Sequence, residues 1–315
     1  MKSFIIRLFE WGCLVLLGGL IIEFLLLFQD NEYTYKFQYI HNHRNDIECL
    51  ILGSSTSNNN INPKYLDISS FNTASSARII YYDYALLNHF INDMPNLKCV
   101  IMTIAPFHLY RDYRYKVKTA EHAAIHEPTY RCMHYKYMNL SYDYKDILYW
   151  SEILNSNYNY MDRFSEEYSK RADFDSLGYG KLLGHLEGQK YGNWKEFKVF
   201  TDIDYNDPNV EKAVNHNIEF LVNIANLCKN KKLRFILLQT PFHPIARETI
   251  TMKDKSHLAS CIRAIRKNYD KTEYYDFSCD SSFNDDRYYF NASHLNIEGA
   301  EKFSHIVNNI VQKGR

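Results

Sequence analysis

Five short strand-like runs, set apart by stretches of helical periodicity, limit what this chain can fold into. They lie at 47–52, 71–74, 99–104, 233–238 and 273–277. Three end in chain-breaking signals: Gly53-Ser54-Ser55, Ala105-Pro106 and Thr240-Pro241. A brief apolar run bounded by such residues fits a strand buried on both faces. Helical spacing runs through Ile79, Tyr82, Leu86 and Phe90, and again through Val210, Val214, Ile218, Leu221 and Ala225. Further helices are expected at 254–269 and 297–311, the last with Asn296 as its N-cap. Strands alternating with helices predict an α/β fold, a central parallel sheet with helices on both faces. In such sheets a site forms at the carboxyl ends of the strands.

The N-terminus sets the compartment. Lys2 and Arg7 precede an apolar run from Trp11 to Phe28, interrupted by Glu23. Its length is near the roughly 20 residues that span a bilayer, and no small-x-small cleavage pattern follows it. Residues 1–29 therefore read as an uncleaved membrane anchor. The basic flank predicts that the following chain lies on the non-cytoplasmic side, periplasmic or extracellular. Seven cysteines show neither C-x-x-C pairs nor regular spacing, so they form no disulfide framework. Free thiols would also suit a cytoplasmic-facing body, the rival topology.

Residues 30–45 are polar and aromatic and read as a linker, leaving 46–315 as one domain. Within it, 107–208 interrupts the alternation. This insertion holds 15 of the 27 tyrosines as well as Trp150 and Trp194. It reads either as a cap that shapes a substrate groove or as a subdomain covering the sheet edge. Tyrosine rings suit sugar faces. Lys+Arg and Asp+Glu are equal at 37 each, which argues against nucleic acid as a partner.

Two segments carry chemistry. Ser55 directly follows the first strand, and His294 precedes the last helix, so the topology brings both to one sheet edge. These blocks resemble the SGNH/GDSL hydrolase superfamily, and within it the membrane-anchored branch acting on cell-envelope polysaccharides. The resemblance rests on Leu50-Ile51-Leu52-Gly53-Ser54-Ser55, on Phe71-Asn72-Thr73-Ala74-Ser75-Ser76, and on His294-Leu295-Asn296 with Gly299-Ala300. It covers 47–104 and 233–305. It implies a three-layer flavodoxin-like sandwich, Ser55 as nucleophile and His294 as base. It also implies an oxyanion hole from the N–H groups of Ser55 and of Ser75 or Ser76. No cofactor is implied.

The chain departs from that pattern in several places. Ser54 stands where the family has Asp. The third block is absent after the third strand, so a side-chain oxyanion donor is missing or supplied from elsewhere. Asn291 replaces the acid that orients the histidine. Its amide oxygen can accept the Nδ1–H bond but contributes no charge. A backbone carbonyl, Asp285 or Asp286 could take over that role. His108 and His243 each follow a strand-end Pro-Phe, Pro106-Phe107 and Pro241-Phe242, and are expected at the site rim, binding substrate. His122 with His126, and His41 with His43, lack a third ligand and read as surface residues rather than a metal site. The expected function is a membrane-anchored esterase or O-acyl(acetyl)transferase acting on an acylated envelope polysaccharide. The alternative is an inactive scaffold that binds glycan or assists polysaccharide assembly or export.

Overall fold

The computed structural model describes residues 1–27, 32–112, 174–181 and 203–313. Helix α1 (Lys2–Leu27) is long and apolar enough to cross a membrane. Helix α2 (Glu32–His43) occupies most of the stretch expected to be a linker. It belongs to the body: Ile40 is fully buried in the core, and Tyr39 stacks on Phe71 with centroids 4.1 Å apart. Its buried Lys36 reaches Glu32 Oε1 (2.7 Å), Asn58 Oδ1 (3.0 Å) and the Ala74 carbonyl. Those partners offset the cost of removing an ammonium from water.

Five strands form one parallel sheet: β1 (Cys49–Leu52), β2 (Ser70–Asn72), β3 (Cys99–Thr103), β4 (Arg234–Gln239) and β5 (Glu273–Asp276). Their order is β2-β1-β3-β4-β5, with Leu50 opposite Phe71 on one side and Val100 on the other. Side chains alternate between two cores, as the period of two requires. Leu50, Leu52, Val100, Met102, Phe235 and Leu237 face α2, α4 (Ile80–Phe90), α6 (Pro208–Asn230) and α8 (Met252–Asn268). Ile51, Ile101, Ile236 and Leu238 face α9 (Ile297–Gln312) through Phe303, Val307 and Ile310. Three short α-helices follow strand ends: α3 (Ser55–Asn60), α5 (Pro106–Tyr110) and α7 (Pro244–Glu248). A hairpin of β6 (Tyr289–Asn291) and β7 (His294–Leu295) precedes α9.

Most of the expected insertion, including Trp150, Trp194, His122 and His126, lies outside the described residues. At its start α5 is core, with Leu109 and Tyr110 fully buried. From its middle, 174–181 lies on the free edge of β2, where Asn72 N–H donates to Leu177 O at 2.9 Å. Gly178 has φ +81°, and a Cβ there would fall 2.1 Å from Asn72 O, so this close edge contact requires glycine. Covering the edge removes a row of unpaired backbone groups.

Strand order sets the place of the site. From β1 the chain crosses to β2 on one side, then returns past β1 to β3 on the other. The carboxyl ends of β1 and β3 therefore flank the switch point, where such sheets open a crevice. The segments leaving those two ends are Gly53-Ser54-Ser55 and Ala105–His108.

Candidate active site

The turn after β1 is held from beneath. Gly53 has φ +123°, and a Cβ would meet Ser57 Oγ at 2.4 Å. Its N–H donates to Asp83 Oδ1 at 2.9 Å, and Asp83 is paired in the interior with Arg78 (2.8 Å). Helix α3 then starts at Ser55. Its sequence Ser-Thr-Ser-Asn-Asn-Asn has no apolar periodicity and is buried through hydrogen bonds. Thr103 Oγ1 lies 2.7 Å from both Thr56 Oγ1 and Ser57 Oγ. Asn72 Nδ2 donates to the Ser57 and Ile61 carbonyls, each at 2.9 Å. Between Cys49 and Pro63, Ser55 alone is not buried.

The histidine arrives on the hairpin. Leu295 N–H donates to Asn60 Oδ1 at 2.9 Å, joining β7 to the end of α3. Asn296 Oδ1 caps α9 through Gly299 N–H (3.0 Å). His294 Nε2 lies 2.8 Å from Ser55 Oγ, and His294 Nδ1 lies 2.9 Å from Asn291 Oδ1. The amide orientation of Asn291 follows from its neighbours. Its Oδ1 also accepts from the backbone N–H groups of Ser293 (3.1 Å) and His294 (3.0 Å), so this atom must be the oxygen. Nδ1 therefore carries the proton and donates. Nε2 is left with a lone pair aimed at the Ser55 hydroxyl, the tautomer a general base requires. Burial, then the Arg111 guanidinium, lowers the His294 pKa to about 4.

Asp285 and Asp286 are engaged elsewhere. Asp285 caps the turn through Arg287 N–H (3.0 Å), and Asp286 Oδ1 lies 2.7 Å from His243 Nε2. His243 is buried rather than presented at the rim, against the expected placement. Its N–H donates to Ala292 O (3.1 Å), so it braces the loop that carries Asn291 and His294.

His108 is also buried, beneath the serine turn rather than on the rim. Its Nε2 lies 2.6 Å from Ser54 Oγ and 3.4 Å from Thr56 Oγ1, and Ala105 N–H donates to its Nδ1 at 2.9 Å. Burial, then the charge of Arg111, then His294, holds its pKa well below the ordinary histidine value. The Ser75 N–H donates to Gly53 O at 3.2 Å and so is not available to a substrate oxygen, against expectation. Ser76 is exposed. Ser55, as the first residue of α3, has an N–H with no acceptor inside the helix.

Among the described residues, no cluster of three His, Cys, Asp or Glu side chains is placed to hold a metal. His43 instead stacks on Tyr39, with centroids 4.0 Å apart. The pairing of Ser54 with His108 had no sequence signal beyond two strand-end turns. The bracing Asn60 had one, a run of three asparagines directly after the serines.

A family model for a domain of unknown function matches residues 208–314, the part that holds His294 and Asn291. No curated relative matches the sequence. The chain is similar in structure to a protein from Streptococcus pneumonia provisionally described as a platelet activating factor. The two share 10% identity over 94% of this chain and 98% of that one, with a TM-score of 0.42. At that score the likeness bears on neither fold nor chemistry.

Proposed function

We propose that the chain is an SGNH-like serine esterase or O-acyltransferase. Its substrate is an acyl ester, most simply acetyl, on an envelope polysaccharide. The observation that carries the chemistry is the chain Ser55 Oγ–His294 Nε2–Nδ1–Asn291 Oδ1, with links of 2.8 and 2.9 Å and the tautomer fixed by two backbone donors. Ser55 Oγ attacks the acyl carbon while its proton passes to His294 Nε2. The carbonyl electron pair moves onto oxygen, beside the Ser55 N–H. Collapse of this tetrahedral adduct expels the alcohol oxygen, which takes the proton back from Nε2. The resulting acyl-Ser55 is released to water in a hydrolase or to a sugar hydroxyl in a transferase.

The envelope substrate and the non-cytoplasmic side are supported by the resemblance, by the apolar α1 and by its flank of Lys2 and Arg7. The test is acetate release from an acetylated glycan. Ser55→Ala is expected to abolish it without changing the thermal melt, and full activity in that variant removes Ser55 from the mechanism. The second reading, a glycan-binding scaffold without turnover, is favoured by the uncharged partner of His294. It predicts no acetate release by the native protein, with glycan binding retained.

A further inference from the structure

Two serine–histidine pairs lie side by side at the switch point, and their proton positions differ. In the first, Asn291 Oδ1 holds the proton on His294 Nδ1, so His294 Nε2 accepts from Ser55. In the second, the Ala105 N–H occupies the lone pair of His108 Nδ1. An imidazole nitrogen that accepts a backbone N–H carries no proton of its own, so the proton of neutral His108 sits on Nε2. At 2.6 Å that N–H donates to Ser54 Oγ. His108 therefore cannot serve as a base toward Ser54, and Ser54 is no second nucleophile. Once the oxygen accepts from His108, the Ser54 hydroxyl hydrogen is left to donate. As the N-cap residue of α3, Ser54 makes no capping bond with its side chain.

The structure assigns to Ser54 the role of second oxyanion donor, through its Oγ–H, with His108 as the residue that positions it. This inference rests on the proposed acyl chemistry at Ser55. Three observations support it. The Ser75 amide, one of the expected donors, is bonded to Gly53 O. The third block, where the resemblance places a side-chain donor, is replaced here by the Ala105–His108 turn. That turn leaves the carboxyl end of β3 and sets the buried His108 ring beneath the end of β1, against Ser54. Burial holds the His108 pKa well below the ordinary histidine value, which favours the neutral ring that this bond direction requires. A preset chain of donors, Ala105 N–H to His108 to Ser54, needs no reorganisation when charge develops on the carbonyl oxygen.

The test compares native protein, Ser54→Ala, His108→Leu, His108→Gln and the Ser54→Ala/His108→Leu double variant on p-nitrophenyl acetate. Loss of one oxyanion donor lowers kcat by about 10²–10³-fold, so Ser54→Ala should fall by that factor with KM nearly constant. His108→Leu should fall comparably. His108→Gln, which retains an N–H donor at similar reach, should recover most of the rate. The double variant should be no slower than Ser54→Ala alone, because both changes break one chain. NMR titration of His294, unmoved across the series, reports that the nucleophile and base remain intact. Near-native kcat in Ser54→Ala, or multiplicative losses in the double variant, overturns the assignment while leaving Ser55 chemistry standing. Absence of turnover in the native protein overturns both.

Discussion

Replacing Asn291 with Asp converts a neutral orienting group into a charged one at nearly constant shape. The Oδ1 atom keeps its two backbone donors and its position 2.9 Å from His294 Nδ1. At an effective dielectric of about 20, two unit charges at that separation attract by roughly 6 kcal/mol. Desolvation of the new carboxylate offsets part of this, and close opposite charges in proteins move a pKa by about 1–3 pH units, or roughly 1.4–4 kcal/mol. His294, held near 4 by burial and Arg111, should then titrate between about 5 and 7. A base is most effective when its pKa lies near the working pH, so the turnover rate at neutral pH should rise. The ceiling is the ~10⁴ that the reverse change costs a serine protease. The assay is the pH dependence of kcat/KM on p-nitrophenyl acetate. Its acid limb should fall near pH 4 in the native protein and move up by at least one pH unit in Asn291→Asp. An unmoved limb, with the variant folded, would refute the claim that Asn291 acts through the His294 ring.

The remaining predictions concern the supports of the site. Because the folded-state pKa of His294 lies below 6.5, the unfolded chain binds the extra proton first. Stability should therefore fall as pH drops from about 6.5 to 4, by on the order of 3 kcal/mol from this group alone. Urea midpoints at pH 7.5 and 4.5 should diverge less in His294→Gln, and equal divergence contradicts the assignment. Gly53→Ala places a Cβ 2.4 Å from Ser57 Oγ at φ +123°, so it should cost about 1–3 kcal/mol. By calorimetry Tm should drop by about 2–6 °C, and an unchanged Tm argues against the turn geometry. Asn60→Ala leaves the buried Leu295 N–H without its acceptor. It should destabilise by about 1–3 kcal/mol and raise the rate of amide exchange at Leu295; native-like protection there would count against the brace.

The sheet was legible because its strands are buried on both faces and read as unbroken apolar runs. The same physics hid α3, which is packed by hydroxyls and amides, so nothing in its sequence marks a helix. Helix α2 looked like a linker because Tyr, Asn and His residues dilute its buried positions, and one of the buried side chains is Lys36. Ser55 and His294 were legible through order and topology, since a strand end and a helix start share one sheet edge. Whether an amide is engaged is a matter of tertiary geometry, so the sequence does not show that the Ser75 N–H is taken by Gly53 O. His108 and His243 both sit on strand-end Pro-Phe-His turns, yet one reaches Ser54 and the other Asp286. That divergence comes from the loops that meet them, not from the turns themselves.

The central claim is that Ser55 is a nucleophile activated by His294. Mass spectrometry of the intact protein and its peptides after reaction with a fluorophosphonate tests it most directly. The account predicts one phosphonyl adduct on Ser55, lost in His294→Ala and absent from Ser54. No adduct on the folded native protein, or an adduct on Ser54, would contradict it.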